Sequence, residues 1–361
     1  MRHRFHAICP YFAMFPETFV EKHLVYSRPD DVVLDPFSGR GTTGFQALLS
    51  GRRSLSSDIS PVAYCISRAK ICSPTQKEAL LRLRELQSEF KELEDECLED
   101  PFYQACFSAD TLKQLIYLRS TLDWKSNDTD CFLTALILGC LHGESHRSGR
   151  YFSNRMPRTI ATKPDYSMRW WDKHGYEAPR RDVFEILRKE ISYRFDTGRP
   201  QVSGEVVQSD ARQVGDAFSS YHGQVSLVIT SPPYLDTTHF QEDQWLRYWF
   251  MGGTPRPQNI KRGDDRHTSK ELYWEFLSQS WAGFRELLSP AGAIAVVRIG
   301  GSKVSFDEAR DQVVETFRLG TKRDVKLKSA SSSEIVGGQL RSFRPKAKGT
   351  KREHDIVVSI A

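Results

Sequence analysis

Two hydrophobic periods alternate along the chain. Short, β-branched apolar runs fall at residues 31–34, 53–57, 205–208, 225–230, 293–299 and 355–360, and each reads as a buried strand. Between them the spacing becomes helical. Phe19, Val20, His23 and Leu24 share one face behind Pro16, a residue that suits a helix's first turn. Further helices are expected over 44–50, from Val62 onward, and over 269–288, the last followed by a Pro-Ala-Gly turn at 290–292. Strand, glycine turn and helix in succession predict an α/β domain with a doubly wound, mostly parallel sheet.

The alternation is interrupted from Ala69. Residues 75–125 are charged and leucine-rich with helical spacing, and 130–141 form an apolar helix expected to lie buried against them. This predicts a large, mainly helical insertion over 69–203, with 1–68 and 204–361 as the two parts of the sheet domain. Its second half interleaves Arg147, Arg150, Tyr151, Arg155, Lys163, Tyr166, Arg169, Trp170, Trp171 and Lys173 with few acids. Such a mixture suits phosphate contact and base stacking, or a helical subdomain with its tryptophans turned inward. Trp245, Tyr248, Trp249 and Phe250 recur at helical spacing and read as a core stripe.

The strand at 225–230 ends in Thr230-Ser231-Pro232-Pro233-Tyr234. Two prolines remove two backbone donors, which leaves the carbonyls of Ser231 and Pro232 as acceptors beside a hydroxyl and an aromatic ring. An exocyclic amino group on a flat heterocycle matches that set. Upstream, Asp35-Pro36-Phe37-Ser38-Gly39-Arg40-Gly41-Thr42-Thr43 joins a strand to a helix, and its glycines let backbone approach a ligand. Asp58 follows at the next strand end, where a carboxylate can accept two ribose hydroxyls or cap the helix behind it. Asp210, in Ser209-Asp210-Ala211-Arg212, is a third strand-end acid, able to cap the helix that follows it.

Composition narrows the class. Hydrophobic residues make up 39% of 361 and aromatics 11%, which suits a globular enzyme, and no apolar run approaches the roughly 18 residues of a membrane span. The first residues carry two arginines without an apolar block behind them, so no signal peptide is expected and the expected location is cytoplasmic. Seven scattered cysteines fit a reducing compartment, and Cys140, His142 and His146 lack the further ligands a metal site needs, so no metal is expected. The net charge is +5, with acids concentrated in 76–110 and bases in 144–200 and 321–352, which favours a polyanionic partner.

Taken together these motifs resemble the S-adenosylmethionine (SAM)-dependent DNA amino-methyltransferases, over about residues 10–65 and 205–300. Thr-Ser-Pro-Pro-Tyr is similar to their catalytic loop, in the form found in the cytosine-N4 branch. The resemblance implies a class I methyltransferase fold, Rossmann-like with a C-terminal hairpin, and a catalytic set of Ser231, Pro232, Pro233 and Tyr234. For SAM it implies Phe15 and Pro16 from a Phe-Pro segment, Asp35, Pro36, Phe37, Ser38, Gly39, Gly41, Thr42 and Thr43 from the glycine loop, Asp58 and Ile59 at ribose and adenine, Asp210 and Ala211 at the adenine amino group, and Thr230. Arg40 departs from the family pattern, and its side chain is expected to face outward, to nucleic acid or to water. Residues 346–352 would form a basic hairpin tip.

The implied reaction is methylation of the N4 amino group of a flipped cytosine in double-stranded DNA, within restriction-modification or a related defence role, with a cognate restriction endonuclease as candidate partner. Adenine-N6 methylation is the nearest alternative. Methylation of tRNA or of a protein amide and a non-enzymatic DNA-binding module follow. A Pro-Cys nucleophile loop of the carbon-5 cytosine enzymes is absent from the catalytic strand.

Overall fold

β1 (Val32–Asp35) is buried at all four positions, and a strand without a polar face belongs in the middle of a sheet. In the computed structural model it lies there, hydrogen-bonded in parallel to β2 (Arg53–Asp58) on one side. The structure describes residues 2–11, 15–235, 240–257, 269–301, 303–334 and 352–361, without the side chains of Phe240 and Gln241. Beyond β2 runs β3 (Gly204–Gln208), and on the other side of β1 come β4 (Val225–Thr230) and β5 (Ala293–Gly300). With β6 (Val325–Glu334) and β7 (Arg352–Ile360), the seven strands take the order β3-β2-β1-β4-β5-β7-β6. β1 to β5 pair in parallel, whereas β7 is antiparallel to both of its neighbours. That order, with its antiparallel terminal hairpin, is the class I methyltransferase fold that the sequence led us to expect.

The order reverses between β1 and β4, so the carboxyl ends of these two strands flank the crevice where open sheets bind ligands. Asp35 and Thr230 are their last residues. Alternation along the strands supplies two cores. Val32, Leu34, Val228, Ala295 and Val297 face a layer that includes Trp274, Leu277 and Trp281 of the helix Lys270–Gly283 and Phe317 of the helix Phe306–Thr321. Trp281 and Phe317 stack there at 4.4 Å and 8°. Val33, Leu227, Ile229 and Val296 face the opposite way, towards Phe15, Phe19, Val20, Leu24 and Ala47.

Two expected boundaries shift. The helix drawn over 269–288 is capped by the Ser269 hydroxyl but ends at Gly283, after which a short 3-10 turn covers Arg285–Leu287. β6 escaped the sequence pattern. It is the sheet's edge and exposes most of its length, so Lys326, Lys328 and a run of serines replace apolar alternation, as edge strands tend to require. Residues 335–351, most of the expected basic tip, lie outside the described residues.

This sheet unit comprises Met14–Ser67, Pro200–Thr238 and Ile260–Ala361, while a helical unit takes Arg68–Arg199 together with Met1–Ala13 and His239–Asn259. The two flanking segments fall outside boundaries at 68/69 and 203/204, because their attachment is made by contacts distant in sequence. Phe5 packs on Phe132 and Phe195 at 5.8 and 5.2 Å, and Trp249 lies 4.6 Å from Tyr103. Within this unit the helix Asp128–Cys140 is buried from Asp130 to its end, as its apolar sequence requires. Asp130, the buried acid of this helix, is held by Arg82 at 2.8 Å. Trp245, Trp249 and Phe250 are core residues, as read from their spacing.

The cysteine and histidine cluster resolves into packing. Cys140 and His142 are both buried, with the His142 Nδ1–H donated to the Pro157 carbonyl at 2.9 Å. Burial, aided by nearby Arg247, pushes the His142 imidazole down to about 3, so it stays neutral. The tryptophan pair of the basic region divides: Trp171 turns inward and donates its indole N–H to the Arg155 carbonyl at 2.7 Å. Trp170 instead joins His174 and Tyr176 in a partly exposed aromatic group, with the Arg155 guanidinium 3.7 Å over the Tyr176 ring. No described helix is long and apolar enough to cross a membrane.

Candidate active site

The glycine loop is built by close approach. Gly39 and Gly41 sit at φ +51° and +70°, in the left-handed region that costs a side chain strain. A Cβ at Gly41 would also meet the Ser67 Cα at 2.9 Å. Ser67 anchors the loop from the helix behind it: its hydroxyl donates to the Gly39 carbonyl at 2.9 Å and lies 3.2 Å from the Ser38 hydroxyl. Nothing in the sequence marked Ser67, whose role needs only a small polar residue at one helical position. The loop then enters the helix Thr42–Leu49, whose start has no side-chain cap.

Asp35 and Asp58 close the loop from two strand ends. A single oxygen of Asp35 accepts the Thr230 hydroxyl at 2.7 Å and the Phe37 N–H at 3.1 Å, which ties β1 to β4. Burial pushes the Asp35 carboxyl up to about 6 against the pull of these donors, and the charge of Asp58 adds to the rise. Each oxygen of Asp58 accepts one backbone N–H, from Gly39 and from Ser60, both at 2.9 Å. Burial raises this carboxyl to about 6 as well. A carboxylate offers about four lone-pair sites, so two remain for vicinal hydroxyls. Beside it Ile59 is 59% exposed, an apolar side chain in want of a flat partner.

Other residues of the expected cofactor set do structural work. Phe15 is part of the core, 4.9 Å from Phe19, and Pro16 stands just ahead of the helix Glu17–His23. Phe37 packs edge-on against Phe276 and Trp281. Pro36, Ser38, Thr42, Thr43 and Ala211 are buried, with the Thr43 hydroxyl donated to the Ile229 carbonyl at 3.1 Å. Thr230 serves through Asp35. The outward Arg40 is corrected: its side chain is only 5% exposed, and its Nε donates to the Thr42 hydroxyl at 3.2 Å. A long aliphatic stem beside a local acceptor makes the inward rotamer workable.

Asp210 shows the capping behaviour the sequence left open. Its carboxylate accepts the Arg212 N–H at the start of a 3-10 turn and pairs with the Arg212 guanidinium at 2.6 Å. The strand end itself is in register with the site, since Ser209 N–H donates to the Asp58 carbonyl and the Ser57 hydroxyl to the Ser209 carbonyl.

At the end of β4 the Ser231 hydroxyl donates to the Arg298 carbonyl on β5 at 2.9 Å and lies 3.4 Å from the Tyr234 hydroxyl. Tyr234 is 9% exposed, and its phenol donates to Glu353 at 3.0 Å. Burial and then the Glu353 charge raise this phenol well above its ordinary range. Glu353 pairs with Arg298 at 3.1 Å, Arg298 grips Asp355 through two nitrogens at 2.7 and 2.8 Å, and its guanidinium stacks 3.9 Å over the Phe19 ring. Arg298, Glu353 and Asp355 went unnamed in the sequence reading. A lone arginine inside Val-Val-Arg-Ile and two acids opening the last strand were the available signal.

The strand order and the acids at β1 and β2 thus define a class I methyltransferase fold with an intact glycine loop and an acceptor loop at β4. Residues 3–68 match the N6_N4_Mtase family model, described as DNA methylase. A stretch of 54 residues is 43% identical to the orphan methyltransferase M.BamHII of Bacillus amyloliquefaciens, covering 15% of this chain and 20% of that protein's length. Both matches support an amino-methyltransferase, and the family match covers the part of the chain that carries the glycine loop. Among solved structures, the rRNA methyltransferase aviRa of Streptomyces viridochromogenes is 13% identical with a TM-score of 0.36, over 97% of this chain and 87% of that one. The 16S rRNA (adenine(1408)-N(1))-methyltransferase of Catenulisporales acidiphilia is 11% identical with a TM-score of 0.32, over 98% and 96%. Likeness of that size carries no argument about substrate, and the fold stands on the strand order.

Proposed function

We propose that this chain is a SAM-dependent DNA amino-methyltransferase acting on the N4 amino group of cytosine. The observation that carries the reading is the pairing, at one switch point, of a glycine loop bounded by Asp35 and Asp58 with a Ser-Pro-Pro-Tyr loop whose hydroxyl and carbonyls are acceptors. The residues fit the cofactor. Asp58 has acceptor sites left for the ribose hydroxyls, Ile59 lies open beside it for the adenine ring, and two acids raised by burial, Asp35 also by the charge of Asp58, favour a cationic ligand. When bound, SAM supplies an electrophilic methyl group on positively charged sulfur. In this reading the Arg212 pairing with Asp210 opens to admit the adenine amino group.

The chain's own residues orient the acceptor. An aromatic amino nitrogen is a poor nucleophile because its lone pair is delocalised, and N–H donation to Ser231 Oγ and the Pro232 carbonyl favours a pyramidal nitrogen. The Tyr234 ring holds the base. Because the target atom is paired in a duplex, the base is flipped out, and the basic and aromatic surface of the helical unit, with Tyr166 55% exposed, reads the surrounding DNA. A restriction-modification role, with a cognate endonuclease, follows from this activity as an expectation.

The test is incubation with methyl-labelled SAM and mixed-sequence duplex DNA, digestion to nucleosides, and mass spectrometry. Label in N4-methylcytosine is the expected result. Label in N6-methyladenine would keep the mechanism and overturn the base, and no label on DNA would overturn the reading.

A further inference from the structure

Amino-methylation leaves a proton to be removed. The alkylated nitrogen carries a positive charge until one N–H bond breaks and its electron pair returns to nitrogen, and the first residue of this loop is a serine, which cannot keep the proton as a carboxylate could. A carboxylate stands two hydrogen-bonding atoms away. Ser231 Oγ lies 3.4 Å from Tyr234 Oη, which lies 3.0 Å from Glu353 Oε1. These three residues are 119 positions apart at their nearest to the last, yet they form one chain of oxygen atoms.

We propose that Ser231, Tyr234 and Glu353 form a proton relay that carries the amino proton out of the site, with Arg298 as its positioning residue. The inference rests on the amino-methylation reading and extends it. Before transfer, the Ser231 hydroxyl donates to the Arg298 carbonyl, so its lone pairs face the substrate amino group as acceptors. After transfer, the Ser231 hydroxyl turns from the Arg298 carbonyl towards Tyr234 Oη, Oγ takes the amino proton as it passes its own to Tyr234 Oη, and the phenol proton moves to Glu353. One proton enters and one leaves each hydroxyl, so only the Glu353 carboxylate changes charge. Its side chain is 20% exposed, which opens the last step to water. A phenol whose acidity is lowered by burial passes a proton only in such a concerted exchange, never as a free phenolate.

Arg298 fixes the geometry at both ends. Its carbonyl sets the resting Ser231 hydroxyl, its guanidinium holds Glu353, and Asp355 and the Phe19 ring hold the guanidinium in turn. The relay therefore joins the β4 loop to β5 and β7 through contacts that a purely stacking tyrosine would not need.

The experiment compares wild type with Tyr234→Phe, Glu353→Gln and the double variant, using labelled SAM and mixed-sequence duplex DNA under single-turnover conditions in H2O and D2O. Removal of a step of this kind is expected to slow transfer at least about tenfold. Each single variant should do so, the double variant should be no slower than the slower single, and the solvent isotope effect seen in wild type should shrink. SAM and DNA affinities should stay within about twofold. Without cofactor, the melting temperatures of the four proteins report the phenol–carboxylate bond alone, and the double variant should fall by less than the two singles summed. Transfer by Tyr234→Phe at the wild-type rate, multiplicative losses in the double variant, or an unchanged isotope effect would overturn the relay. Failure of wild type to label any base would overturn the amino-methylation reading itself, so the two failures are distinguishable.

Discussion

The two halves of the site are held together in different ways. The proposed cofactor half is mostly local: Asp35, Gly39, Gly41 and Asp58 lie within one strand–loop–helix–strand unit, and the Asp58 contact to Gly39 spans 19 positions, with the Asp35 bond to Thr230 as a long link to β4. The proposed catalytic half is remote, with Ser231 bonded to a carbonyl 67 positions away and Tyr234 to a carboxylate 119 positions away. A local site survives changes elsewhere in the sheet. A remote one depends on the register of β5 and β7 and on one arginine between them.

Removing that arginine should give the largest effect. Arg298→Met leaves Glu353 and Asp355 without their partner, and breaking a mostly buried pair costs about 3 kcal/mol or more. A clear drop in melting temperature with loss of methyl transfer, while SAM affinity measured by calorimetry changes little, is the expected pattern; equal loss of cofactor binding would show that the halves are not separable. Asp58→Ala sharpens the contrast from the other side. Losing two hydrogen bonds to a charged acceptor at about 1.5 kcal/mol each weakens SAM binding about 100-fold. Stability should move far less than for Arg298→Met.

The smallest effect concerns pH. Asp35 is raised from 3.8 to about 6 in the folded chain, so between these values the folded state binds more protons than the unfolded one. Stability from this group is therefore full below pH 4 and is lost as pH rises through 6, by at most about 3 kcal/mol at about 1.4 kcal/mol per unit. Asp35→Asn keeps an oxygen for Thr230 and Phe37 and does not titrate. Denaturant unfolding of both proteins from pH 4 to 7 should show wild type losing ground to the variant as pH rises, and parallel curves would refute the assignment.

The contrast between the halves also separates what was legible. The glycine loop, both strand-end acids, the acceptor loop and the buried helix over 130–141 could be read because each is specified by neighbours in the chain. Arg40 was misjudged as outward because a charge next to a glycine turn reads as exposed, and its burial and its contact to Thr42 show otherwise. β6 carries no hydrophobic period, since an edge strand has one partner and little to bury. Met1–Ala13 and His239–Asn259 join the helical unit through contacts distant in sequence; helical spacing marks Trp245, Trp249 and Phe250 as core but does not name the core they enter.

The sequence by itself determined the class of fold and the chemistry of each strand end, since turn glycines, prolines and apolar period act over a few residues. Tertiary structure decided which side chains complete the site. Ser67 behind the glycine loop and Arg298 with Glu353 behind Ser231 and Tyr234 were set by sheet register and helix packing, and those distances exist only once the strands have been laid side by side.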